Sequence, residues 1–159
     1  MNKGNKNFHF KRSMTQDKMT AHDAKAVLVT CMDFRFINDE MSHMKDKGYD
    51  INFDCFVLAG VSIGINQKKY PGWAKTFFDH LELSKKLHHT KKVVLLDHLD
   101  CGAYRLFGSP FTTEEEEREL HVKELKIAAE KIRTKFPDLK VVCKIMHTNR
   151  IVEKVLVLK

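Results

Sequence analysis

A histidine and a cysteine stand three positions apart in Asp97-His98-Leu99-Asp100-Cys101-Gly102. An imidazole nitrogen and a thiolate at this spacing are a metal-ligand pair, and zinc is the ion that most often takes them together. A third soft ligand, Cys31, opens a second charged stretch, Cys31-Met32-Asp33-Phe34-Arg35. Both stretches directly follow apolar, β-branched runs, Lys92-Val93-Val94-Leu95-Leu96 and Ala26-Val27-Leu28-Val29-Thr30. If the runs are strands of one parallel sheet, their carboxyl ends share an edge, which is where open α/β sheets bind ligands. Cys31, His98 and Cys101 would then converge as a Cys2His set that leaves a fourth position to water, substrate or Asp33.

The rest of the chain supplies the elements that must hold these residues. Ala26 to Thr30 is nearly all apolar, as a strand is when helices cover both its faces. Ile37, Met41 and Met44 mark a helical stripe, with the methionines as core filler, Asp39 and Glu40 favouring the first turn and Gly48 as the stop. Cys55 to Ala59 reads as a second strand and Gly60 to Gly64 as a loop at its end. That glycine loop could bring N–H groups to an anion, but it is not a P-loop. After the Tyr70-Pro71-Gly72 turn, Trp73, Phe77, Leu81 and Ser84 recur at helical spacing and predict the crossover helix that two parallel strands require. His80, His88 and His89 on or just after it read as surface histidines.

Ala103 to Thr113 reads as a loop broken by Gly108 and Pro110. Thr113 and Glu116 form a capping box for a long helix whose buried face is Leu125, Ala128, Ala129, Ile132 and Phe136. The run Glu114 to Glu117 compensates the dipole of that helix. Lys140 to Met146 and Ile151 to Leu158 are further strands, the last at an edge. The predicted fold is α/β in three layers: a central, mostly parallel sheet flanked by helices, with an antiparallel edge strand near the C-terminus. Residues 25–159 form one domain, and residues 1–24 form a basic arm with few aliphatics.

With 159 residues, 43% of them hydrophobic, the chain can build a core without disulfides. Its four cysteines, Cys31, Cys55, Cys101 and Cys143, follow or lie within strand-like runs with no secretory signal before them. They therefore read as reduced thiols of a cytoplasmic protein, Cys55 and Cys143 as core residues. No aliphatic run is longer than that of Val93 to Leu96, far short of the roughly 20 residues a membrane helix needs. The net charge of +7 comes from lysines scattered over several segments. No basic-aromatic motif accompanies them, which argues against nucleic acid as partner. A basic surface does draw small anions toward a cleft.

The two motifs together resemble those of the β-class carbonic anhydrases, C-x-D-x-R and H-x-x-C followed by Gly. Here they read Cys31-x-Asp33-x-Arg35 and His98-x-x-Cys101-Gly102, and the likeness extends from about Lys25 to the C-terminus. It implies Zn2+ on Cys31, His98 and Cys101, catalytic roles for Asp33 and Arg35, and reversible hydration of carbon dioxide to bicarbonate by zinc-bound hydroxide. It further implies support from Asp100 and Gly102 behind the ligands, a cleft at Phe34, Ala59 and Gly60, and a homodimer or dimer of dimers. In the resembling family Asp33 would either fill the fourth position on the metal or pair with Arg35 and leave it open. Two departures make the cleft more apolar: Leu58 precedes Ala59-Gly60 where the family usually has Asn, and Phe34 replaces a small residue. They bring in a second reading, a zinc hydrolase for carbon disulfide or carbonyl sulfide. A third is a zinc-binding or thiol-sensing module without turnover.

Overall fold

The computed structural model describes residues 22–50 and 52–159. The basic arm therefore lies outside the described residues except for its last three. Strand β1 (Val27–Thr30) leads through α1 (Ile37–Asp46) to β2 (Asp54–Val57). From there α2 (Ser62–Asn66) and α3 (Pro71–His88) cross to β3 (Lys92–His98), and α4 (Gly102–Phe107) and α5 (Glu114–Lys135) cross to β4 (Lys140–Met146). Strand β5 (Val152–Leu158) closes the chain. The sheet order is β2-β1-β3-β4-β5, parallel throughout except for the antiparallel β4–β5 pair. This is the three-layer α/β arrangement read from the sequence.

The order makes β1 and β3 neighbours although the chain visits β2 between them, so the sheet reverses its direction of growth there. Connections leave such a switch point on opposite sides and open a crevice at the carboxyl edge. Thr30 is in register with Leu96, so Cys31, just beyond β1, and His98, the last residue of β3, share that edge.

Two cores flank the sheet. The larger takes Val27, Val29, Val93, Leu95, Val141 and Cys143 from the strands and Phe77, Leu81, Leu125 and Ile132 from α3 and α5. The smaller takes Leu28, Val94, Leu96 and Val142 from the other face and Phe36 and Met44 from α1. Alternation of side chains along each strand distributes these residues. Pro71 pre-sets the first turn of α3, and the Thr113–Glu116 capping box starts α5.

Four local readings are corrected. The segment Ala103 to Thr113 is not all loop, because α4 occupies its first half; its breakers fall after Phe107, not within the turn of helix. Likewise the loop after β2 stops at Val61, where α2 begins. The buried stripe of α1 is Phe36, Glu40 and Met44, while Ile37 and Met41 are exposed. Cys55 is exposed and not a core thiol. It sits on the edge strand, opposite Leu28.

Candidate metal centre

Cys31 leaves β1 with only 4% of its surface exposed, His98 ends β3 with 1%, and Cys101 precedes α4 with 2%. Their ligating atoms all lie within 4.8 Å of one another. The two sulfurs are 4.0 Å apart, close to the about 3.8 Å that separates two thiolates on one tetrahedral zinc ion. His98 Nδ1 bonds the Leu99 carbonyl at 2.9 Å; a carbonyl only accepts, so Nδ1 carries the proton and Nε2 presents its lone pair. Nε2 is buried and has no hydrogen-bond partner among the described residues. A buried nitrogen left without a partner is costly, and an ion between the two sulfurs would satisfy it. The donor set fits Zn2+.

The protein prepares these ligands electrostatically. The Cys31 thiol is lowered to about 4, chiefly because Cys101 donates to it, with His98 and the Gly60 N–H adding to the effect against burial. Cys101 is pushed up in turn by the same contact and by burial. Burial pulls the His98 imidazole down, but the adjoining Cys31 thiolate turns the balance upward. Gly60 N donates to Cys31 Sγ at 3.4 Å from a backbone at φ +72°, and a Cβ there would lie 2.6 Å from Ile63 and 2.8 Å from Ala103. Glycine is thus required where β2 turns its N–H toward the sulfur. Val61 follows at φ +43°, an unusual conformation for a β-branched residue.

Asp33 is held away from the ligand cluster. Arg35 Nε donates to both its oxygens at 3.0 and 3.1 Å, and Nη2 donates to Oδ2 at 2.6 Å. The same guanidinium reaches Asp100 Oδ2 at 2.8 Å and the Asp100 carbonyl at 2.9 Å. Asp33 Oδ2 remains 3.9 Å from His98 Nε2. The guanidinium lowers the Asp33 carboxyl to about 2, so the pair stays ionised. Asp100 therefore supports Arg35, at φ +56° in the turn between the ligands. Gly102 begins α4 in open space; a Cβ there would meet nothing within 4 Å.

Next to Cys31 and Cys101 opens a cleft of about 530 Å³. Ala59 and Phe34 line it, the latter 83% exposed, while Gly60 is buried and is not part of the lining. Its far wall is aromatic: Tyr70 stacks on Trp73 with ring centres 4.9 Å apart, and Phe107 meets both edge-on.

A buried polar network behind the ligands escaped the sequence reading. Glu117 Oε1 accepts from the Cys101 N–H at 3.1 Å and lies 3.8 Å from His121 Nε2. His121 Nδ1 bonds Asp97 Oδ2 at 2.9 Å. Asp97 also accepts from Ser62 Oγ at 2.5 Å and from Tyr104 OH at 2.6 Å. Glu117 thus does more than compensate a dipole. Extending the α5 stripe backward from Leu125 by steps of four would have found His121 and Glu117. Glu40 is a second surprise: fully buried, both oxygens without a hydrogen-bond partner among the described residues, and pushed up to about 7 by that burial.

A family model described as "Putative carbonic anhydrase" matches residues 21–156. An uncharacterized protein of Rickettsia conorii is 37% identical over 138 residues, covering 86% of this chain and 74% of that protein. One of Rickettsia bellii is 36% identical over 138 residues, with 86% and 84% covered. Among solved structures, one of two tetrameric β-carbonic anhydrases from Sordaria macrospora superposes with a TM-score of 0.56 at 12% identity, covering 86% of this chain and 83% of that one. A mutant of the β-carbonic anhydrase CafD of Aspergillus fumigatus gives 0.55 at 10% identity, with 84% and 90% covered. The chain has the fold of the β-carbonic anhydrases, and it belongs to the family described as "Putative carbonic anhydrase".

Proposed function

We propose that this protein is a zinc lyase that hydrates carbon dioxide reversibly to bicarbonate. The observation that carries the reading is the Cys31, His98 and Cys101 cluster beside an Asp33 whose two oxygens are occupied by Arg35. Zn2+ bound by these three residues would supply an acidified water, with a pKa lowered toward roughly 7, as the nucleophile.

The chain's own residues do the rest. Two thiolates and a neutral imidazole balance the charge of the ion. Arg35 fixes the Asp33 carboxylate in a bidentate pair, aligned to accept a proton-bearing donor at Oδ2 and unable to close the site. Ala59 and the aromatic wall offer a neutral linear substrate an apolar approach. That apolarity also favours the second reading, hydrolysis of carbon disulfide or carbonyl sulfide, which would use the same residues.

The zinc-loaded protein should hydrate carbon dioxide in a stopped-flow proton-release assay, and Cys101→Ala should lose both metal and activity. If the loaded protein turns over carbon disulfide and not carbon dioxide, the second reading holds. If it turns over neither, the chain is a zinc-binding module.

The assembly belongs to the same reading. Met32, Phe34 and Leu106 expose 67%, 83% and 66% of their surfaces around the cleft, and a second copy would cover them, giving a homodimer or a dimer of dimers. A tetramer is the state named for the Sordaria enzymes.

A further inference from the structure

On the sheet face under α1, lysines gather without a salt-bridged acid among the described residues. Lys144 of β4 is only 9% exposed, and its Nζ donates to His43 Nε2 at 2.7 Å. That contact uses one of its three N–H donors; no other bond from this Nζ occurs among the described residues. Lys154 is paired directly opposite it across β4 and β5, where like charges destabilise a sheet. Lys47, at the end of α1, and Lys92, at the start of β3, add to the repulsion that Lys144 feels. Lys92 Nζ also donates to Tyr49 OH at 3.1 Å.

Among the described residues no carboxylate comes within salt-bridge distance of any of these four lysines. The charge of Asp46 does act on His43. Burial and the neighbouring Lys144 and Lys47 hold His43 neutral, down to about 4. It can therefore accept from Lys144 but brings no negative charge.

Lysines ordinarily extend their ammonium groups into water. Lys144 is nearly buried, and burial together with the neighbouring lysines lowers its pKa, so its charge is unfavourable unless something compensates it. A single monovalent anion would leave most of the cluster's charge unbalanced. The four cations are lysines, and lysine serves phosphate as a point charge. We propose that Lys144, Lys154, Lys47 and Lys92, with His43 and Tyr49, form a binding site for a multiply charged phosphoryl anion such as a di- or triphosphate. None of these residues is a metal ligand, and the proposal is independent of the lyase reading.

Inorganic pyrophosphate titrated into the full-length protein by calorimetry, at fixed ionic strength, should bind with one equivalent per chain and shift the His43 ring resonances. Lys154→Gln, an exposed position, should weaken binding about tenfold, the loss of roughly 1.4 kcal/mol. Lys144→Gln should weaken it at least as much. Lys85→Gln, which alters a lysine paired with Asp138 elsewhere, should leave it unchanged. ATP binding tighter than pyrophosphate at the same stoichiometry would identify a nucleotide as the source of the phosphates; equal affinity would identify free polyphosphate. Binding that is unsaturable, that leaves His43 unmoved, or that Lys154→Gln and Lys85→Gln reduce alike would overturn the proposal.

Discussion

Arg35 touches two carboxylates with one guanidinium, and that sharing sets what each can do. With its fork on Asp33 and one arm on Asp100, it keeps the first carboxylate off the ligand cluster. Arg35→Ala should retain metal, since no ligand is lost, while hydration falls on the order of 10 to 100-fold as Asp33 swings toward the cluster. Asp33→Ala should be slow for a different reason, because the oriented acceptor is gone. Azide added to the cobalt-substituted variants separates the two: it should bind in Asp33→Ala and be excluded from Arg35→Ala, and equal access would show that the pair does not gate the metal. Because the folded Asp33 carboxyl is depressed from 3.8 to about 2, the stability the pair contributes is present above pH 4 and is lost as pH falls through 2.

Glu40 runs the other way. Its folded value near 7 lies above its ordinary 4.5, so the ionised form is the disfavoured one and stability declines as pH rises from 4.5 through 7. Glu40→Gln should flatten that decline in the metal-free protein, a gain of at most about 3 kcal/mol above pH 7. Denaturation midpoints from pH 5 to 8 check this; parallel curves for the two proteins would refute it. Residue types alone made Cys31, His98 and Cys101 legible, because two thiols and an imidazole placed just after strand-like runs are a donor set before they are anything else. Glu40 was not legible. An acid in a first helical turn ordinarily serves the dipole, and only packing against the sheet shows it buried.

At the level of elements, the strands and the two long helices were readable because each repeats its apolar residues at one period. The short helices α2 and α4 were not: six residues or fewer give less than two turns of periodicity. Nor was the Asp97, His121 and Glu117 network, whose members come from β3 and α5 and meet only through topology. The junction of β2 and α2 has its own test. Gly60→Ala forces a Cβ onto Ile63 and Ala103 at positive φ, which should cost about 2 kcal/mol and displace the N–H that Cys31 accepts. Thermal denaturation reads the first effect and zinc affinity the second. Loss of stability with unchanged zinc affinity would show that the Gly60 contact to the sulfur is incidental.

For the whole molecule, the shared edge of β1 and β3 was readable from two motifs that follow strand-like runs, whereas the full strand order was not, and the assembly depends on surfaces a single sequence cannot pair. Sedimentation of the full chain should give a dimer or tetramer, and Phe34→Glu, which places a charge on the exposed rim, should shift it toward monomer. A monomer at all concentrations would remove the proposed cover of the cleft.

Cys31 and Cys101 are 70 positions apart in the chain, yet their sulfurs face one another across the switch point. An ion held by both would act as a reversible cross-link that ties off nearly half the polypeptide into a ring. Such a closure restricts the unfolded chain, as a disulfide does, by an amount of about 4 kcal/mol for a ring of this length. Stripping the metal should then lower the melting temperature by far more than the loss of a surface ligand would, and refolding should become metal-dependent in rate if the ring closes before the β1–β3 pairing is complete.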